Sequence, residues 1–279
     1  MSPTNDSFDP LVEAGYVFSD RYPQRGAIYE AIASSSAAVR RRCPVALDLA
    51  YGAHPRERLD LFAGRPGGPL FVFLHGGYWR SMDKSSFSYV ADAFLPRGIS
   101  VAVVGYPLAT EVGLAGVVAS AGAAVQWLAS EVGPARGAPI ALGGHSAGGH
   151  LAAMVACARP RSTVSRIVGC ITLSGIFDLL PLLHTSIGSA IALRSEEALT
   201  LSPIRQPRPA GWLLAAVGSA ETPAFQQQTA RYTDLCRQRG ADVEHLVVDG
   251  ANHYSMLEAL APGTLLVERM QARLGPWLT

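Results

Sequence analysis

The segment Gly144-His145-Ser146-Ala147-Gly148 sets a serine between two glycines, each two residues away. A serine hydroxyl is a weak nucleophile, useful only where the backbone turns sharply and leaves its oxygen exposed beside an activating base. Flanking glycines let neighbouring backbone approach such a turn without a clash. An apolar run, 140–142, precedes the segment, and an alanine-rich stretch from Leu151 follows it. Strand, turn and helix in that order suit covalent acyl transfer with Ser146 as nucleophile, with the N–H of Ala147 beside the reacting oxygen.

A second segment, His75-Gly76-Gly77-Tyr78-Trp79, ends the apolar run 70–74. Acyl transfer develops negative charge on the carbonyl oxygen, and glycine lets backbone N–H groups come close enough to stabilise it. With a serine on such a turn, the acid and then the base follow it in the chain. His184, His245 and His253 lie after Ser146. His184 falls in an irregular segment and His245 at the start of an apolar run, whereas His253 follows that run in a loop. His253 is therefore the expected base. The acid is expected after the run 212–217, where Glu221 is the one carboxylate before Pro223; Asp178 and Asp249 are the competitors.

These groups can meet only if a scaffold carries them to one end. Runs 46–51 and 59–62 read as an antiparallel edge hairpin; 70–74, 99–104, 140–142, 167–173, 212–217 and 245–248 read as buried strands. Between them, 84–94, 114–132, 151–158, 223–239 and 254–274 are long enough for helices. This alternation predicts an α/β protein, a mostly parallel sheet with helices on both faces, and the serine turn set within it suits the α/β-hydrolase fold. Residues 178–209 contain Pro181, Gly188, Pro203, Pro207 and Pro209, too irregular for a crossover helix, and are expected to form a short lid. The chain reads as a single domain, 1–279, with a helical arm over 1–45.

Of the 279 residues, 49% are hydrophobic and 16% charged, as a large buried core requires. A formal net charge of +1 gives no support to a nucleic-acid or anionic-membrane partner. No uninterrupted apolar stretch reaches the roughly 18 residues of a membrane span, and residues 1–10 lack the apolar run of a secretory signal. Cys43, Cys157, Cys170 and Cys236 lack the close spacing of a zinc site, so reduced thiols in a cytoplasmic protein are expected. No metal or organic cofactor is called for. The partner is a small-molecule substrate, and a homodimer is left open.

Together, the two glycine segments, with Gly149-His150-Leu151, Ser174-Gly175-Ile176-Phe177-Asp178-Leu179, Leu201-Ser202-Pro203 and Asn252-His253, resemble the kynurenine formamidase (arylformamidase) branch of the α/β hydrolases, whose hallmark is HGGxW. The resemblance spans roughly 46–260 and implies Gly77 and Tyr78 as oxyanion donors beside Ala147. It implies action on N-formyl-kynurenine or on aryl and short-chain esters. Glu221 stands where that family often has Asp. Tyr78, Trp79, Tyr106 and Phe177 lie near strand ends and are expected to wall an aromatic substrate pocket. The alternatives are a carboxylesterase, a binding protein that would be expected to lack one of the three reacting groups, and an interfacial lipase. For the last, the lid is short and interrupted by His184 and Arg194.

Overall fold

Apolar runs without alternation require cover on both faces of a strand. The computed structural model describes residues 8–130, 137–158 and 166–278. The strands are β1 (Val45–Ala50), β2 (Arg58–Phe62), β3 (Leu70–Leu74), β4 (Ser100–Val104), β5 (Pro139–His145), β6 (Arg166–Leu173), β7 (Trp212–Gly218) and β8 (Val243–Val248). They form one sheet in the order β1-β2-β4-β3-β5-β6-β7-β8. β2 pairs antiparallel with β1 and β4, and the other pairings are parallel. Every residue of β3 and β4 is buried. This is the expected mostly parallel sheet with an antiparallel edge.

The helices are α1 (Pro10–Tyr16), α2 (Arg25–Arg42), α3 (Ala91–Phe94), α4 (Ala109–Ser130), α5 (Ala147–Ala158), α6 (Ser186–Ala190), α7 (Ser195–Thr200), α8 (Pro223–Gln238) and α9 (Leu265–Leu274). α1 starts where the Asp9 side chain accepts from the N–H groups of Leu11 and Val12, with Pro10 at the first helical position. α2 buries Ile28, Ile32, Ser36 and Val39, one face at helical spacing. α5 lies against β3, β5 and β6 and is buried from Ala147 to Cys157.

Several boundaries differ from expectation, each for a local reason. The expected helix 254–274 divides into a 3₁₀ turn, Ser255–Leu260, and α9, because Pro262-Gly263 interrupts it and Thr264 caps the new helix. The expected helix 84–94 is a 3₁₀ stretch, Lys84–Val90, followed by α3. α4 starts at Ala109 rather than 114 and kinks at Gly113 (φ 70°, ψ 164°). Positions 131–132 of the expected helix, and 1–7 of the arm, lie outside the described residues. By length and composition α4 would suffice to cross a bilayer, yet here it packs on α5 as a core helix. Residues 178–209 form two 3₁₀ turns with α6 and α7 between them.

Register positions the site. Leu74 pairs with Gly144, and His145 with Leu173, so the chain leaves β3, β5 and β6 at one level. Gly218 pairs with Val248, so the segments leading to Glu221 and His253 also leave adjacent strands at that end. Carboxyl ends of parallel strands are where ligands gather in such sheets.

Candidate active site

Ser146 sits in the left-handed region, φ 56°, on the turn between β5 and α5. Its N–H donates to the Leu173 carbonyl at 2.8 Å, and its own carbonyl accepts from the His150 N–H at 3.1 Å. A Cβ on Gly148 would stand 1.9 Å from the Leu74 oxygen, and one on Gly144 would stand 2.3 Å from the Gly148 carbonyl. Neither position has room for a side chain, which is the physical content of the glycine spacing. Ala147 opens α5, where first-turn N–H groups have no partner inside the helix.

The loop after β3 is strained. Gly77, Tyr78 and Trp79 all have positive φ, at 107°, 50° and 57°. Non-glycine residues held in this region cluster at functional sites and persist only where the surroundings enforce them. Here the Gly77 carbonyl accepts from the N–H groups of Arg80 and Ser81, and the Trp79 carbonyl accepts from the Ala109 N–H. The Tyr78 hydroxyl donates to the Tyr16 carbonyl. Among the described residues, the N–H groups of Gly77 and Tyr78 have no acceptor.

Two histidines brace this loop. The indole N–H of Trp79 donates to His150 Nδ1 at 3.2 Å, which leaves His150 Nε2 to donate to the Leu201 carbonyl at 2.7 Å. His75 stacks on Tyr106 with ring centroids 4.2 Å apart, and the Tyr106 hydroxyl donates to the His75 carbonyl at 2.6 Å. Burial pulls both imidazoles down to about 4, so both are neutral near pH 7.

Across the site, His253 Nδ1 lies 2.8 Å from Glu221 Oε2. The other oxygen of Glu221 accepts from the Ser174 hydroxyl at 2.5 Å and the Gly218 N–H at 2.9 Å. A carboxylate only accepts, so Nδ1 carries a proton and Nε2 of the neutral ring has none. Phe18 and Phe225 pack against the ring, with centroids 5.1 and 4.4 Å away. His145 Nε2 donates to the His253 carbonyl at 2.8 Å, and burial, then the nearby His253, hold His145 well below the ordinary histidine value. Nothing in the sequence distinguishes His145 for this role. Asp178 instead caps the Leu180 N–H, and Asp249 is exposed beside Ser219. His245 lies within β8, opposite Ala215, and the His184 carbonyl bonds to the arm at Asp9.

Ser146, His253, His145, Gly76, Gly77 and Tyr78 line one cavity of about 230 Å³. Of the four aromatics expected to wall it, only Tyr78 does. Trp79, Tyr106 and Phe177 are fully buried behind the cavity. Their polar or flat faces are taken by His150, by His75 and, 4.1 Å away, by Tyr232. The lining aromatics come from elsewhere: Tyr16, Phe18 and Tyr29 from the arm, with Phe87 and Tyr254. Of residues 178–209, expected as a lid, Ile187 is the one that lines the cavity. The sequence signal for the arm was present, as repeated aromatics in an otherwise polar stretch, but no periodicity tied it to this site. No group of three or more metal-ligating side chains occurs among the described residues.

Residues 62–201, half of the chain, match the BD-FAE family. Kynurenine formamidase of Danio rerio is 28% identical over 251 residues, covering 86% of this chain and 85% of that protein. The Salmo salar kynurenine formamidase is 29% identical over 229 residues, covering 78% and 77%. A crystal structure from Silicibacter sp. TM1040, described provisionally as a thioesterase, is 32% identical with a TM-score of 0.81, covering 92% of this chain and 97% of that one. The esterase of Pyrobaculum calidifontis, at 19% identity and a TM-score of 0.73 over 98% and 99% of the two chains, shares the fold.

Proposed function

This chain belongs to the BD-FAE family, and from that premise we propose that it is a serine hydrolase removing a small acyl group from an aryl amide, an arylformamidase of the N-formyl-kynurenine type. One observation carries the reading: a histidine held by a buried carboxylate at 2.8 Å faces the same cavity as a serine on a left-handed turn. Ser146 Oγ attacks the formyl carbonyl while His253 Nε2 takes its proton. The N–H groups of Gly77, Tyr78 and Ala147 stabilise the oxyanion. His253 then gives the proton to the departing aryl amine. Water, deprotonated by His253, attacks the formyl ester, and formate leaves as Ser146 recovers its proton. Glu221 fixes the tautomer that makes both transfers work.

The aromatic lining supports an aryl leaving group, since flat rings pack against tyrosine and phenylalanine faces. A carboxylesterase acting on short-chain or aryl esters is the second reading, favoured by the 32% identity to a protein described provisionally as a thioesterase. Parallel assays of N-formyl-kynurenine and short p-nitrophenyl esters with wild type, Ser146→Ala and His253→Ala test both. Faster ester turnover with no formamide cleavage selects the second. Unchanged rates in Ser146→Ala, with no labelling of the wild type by a fluorophosphonate, reject both.

A further inference from the structure

We propose that His145 is a specificity-determining residue whose Nδ1 accepts the N–H of the scissile amide, so that the site favours a secondary formamide over the matching ester; the proposal rests on the hydrolase reading above.

Apart from His253, His145 is the one histidine that lines the cavity. One bond fixes its tautomer. Nε2 lies 2.8 Å from the His253 carbonyl, which can only accept, so Nε2 carries a proton. Burial, then the nearby His253, keep the ring neutral near pH 7, so Nδ1 carries a lone pair. Among the described residues no group donates to that nitrogen. The neighbouring imidazoles differ. His150 uses both nitrogens, on Trp79 and Leu201, and His253 Nδ1 is held by Glu221. A Cβ built on Gly76 would stand 3.1 Å from His145 Nδ1 and 3.4 Å from Ser146 Cβ. The free nitrogen is therefore on the edge of the ring beside the nucleophile and the oxyanion loop.

Amide cleavage needs an acceptor in that region. When Ser146 Oγ adds to the carbonyl carbon, the amide nitrogen becomes tetrahedral and turns its new lone pair toward His253 Nε2 for the proton. The N–H it already carries must point elsewhere, into a cavity from which the substrate displaces water. The rings of His145 and His253 lie 4.7 Å apart, so a leaving nitrogen within reach of His253 also borders His145. No carboxylate or carboxamide side chain lines the cavity, and the hydroxyls of Tyr78 and Ser81 donate to backbone carbonyls. The imidazole nitrogen is the strongest side-chain acceptor left beside Ser146. An ester oxygen has no proton to give and sets its own lone pairs against that of Nδ1. His145 itself neither gives nor takes a proton in the reaction.

The test compares kcat/KM on p-nitroformanilide, its N-methyl derivative and p-nitrophenyl formate, with spontaneous hydrolysis subtracted. In His145→Gln, whose amide N–H still reaches the His253 carbonyl, the amide-to-ester ratio should fall about 10- to 100-fold, the cost of one buried N–H left unpaired. In His145→Asn, whose carbonyl takes the place of Nδ1 but whose reach to His253 is lost, both rates should drop while the ratio is largely kept. Circular dichroism checks the fold of each variant. A ratio unchanged in His145→Gln, or reduced equally in both variants, means that the ring only holds the His253 loop and overturns the proposal. One comparison needs no variant: wild type should cleave the N-methyl formamide at least about tenfold more slowly than the secondary formamide, and equal rates overturn the proposal. Ester cleavage that ignores residue 145 leaves the hydrolase standing without this role. Cleavage of none of the three substrates by wild type removes the hydrolase and the role together.

Discussion

Replacing Glu221 by glutamine should abolish nearly all turnover while leaving the fold intact, for a reason that lies in the bonding of one oxygen. Glu221 Oε1 already accepts from two donors, the Ser174 hydroxyl and the Gly218 N–H. In Glu221→Gln the amide oxygen must take that position, because an NH₂ there would face both donors. The NH₂ is thereby turned toward His253 Nδ1, which lies 2.8 Å from the second oxygen in the native protein. Nδ1 must then accept, the ring proton moves to Nε2, and the nitrogen proposed to take the Ser146 proton can no longer do so. A wrong tautomer with intact geometry costs about 10⁴ in kcat, the loss known for the equivalent change in a serine protease. That factor corresponds to about 5 kcal/mol of barrier. The assay is kcat and KM on an aryl formamide and on p-nitrophenyl acetate, with urea denaturation to show that stability is kept within about 2 kcal/mol. Turnover within tenfold of wild type would refute the reasoning, because His253 would then be oriented by something other than Glu221.

His75 and His150, at about 4 in the fold against an ordinary 6.5, bind fewer protons folded than unfolded in that interval, so stability should fall as pH drops from 6.5 toward 4. Each ring contributes a slope of up to about 1.4 kcal/mol per pH unit, and urea midpoints measured across this range should show a shallower dependence in His150→Gln; parallel curves would count against it. Gly148→Ala puts a methyl 1.9 Å from the Leu74 carbonyl oxygen and should cost about 3 kcal/mol or more by chemical denaturation. Trp79→Phe strands the buried Nδ1 of His150 and should cost about 1–3 kcal/mol, whereas a change within experimental error would mean that the loop does not depend on that bond.

The sheet and the seats of Ser146, Glu221 and His253 were legible because each depends on local signals. Unbroken apolar runs mark strands buried on both faces, and glycine spacing marks the turn that a Cβ at 144 or 148 would block. Glu221 was separable from Asp178 only as a position after a strand; its bonds to Ser174 and His253 span 47 and 32 residues and left no trace in spacing. The aromatic wall was misplaced for a related reason. Trp79, Tyr106 and Phe177 do lie at strand ends, but whether such a ring faces a cavity or a neighbour depends on partners far along the chain, here His150, His75 and Tyr232. The split of 254–274 was readable in Pro262-Gly263 and was outweighed by the apolar pattern around it.

The two glycine motifs meet through a single imidazole. His150 takes a hydrogen bond from Trp79 and gives one to Leu201, so the strained loop after β3, the helix after Ser146 and the segment following α7 are joined at one neutral ring. The tryptophan of HGGxW thus lies away from the cavity, tied to His150, next to Gly77 and Tyr78, whose backbone has positive φ and whose N–H groups have no acceptor among the described residues. The arm rests on the same loop from the other side, through the Tyr78 hydroxyl on the Tyr16 carbonyl, and reaches His253 through Phe18. Residues proposed to react are thus fixed by the sheet and its turns, whereas Tyr16, Phe18, Arg25 and Tyr29 reach the cavity from a segment outside the sheet. Changes in the arm can therefore reshape the cavity while the serine, histidine and carboxylate keep their positions.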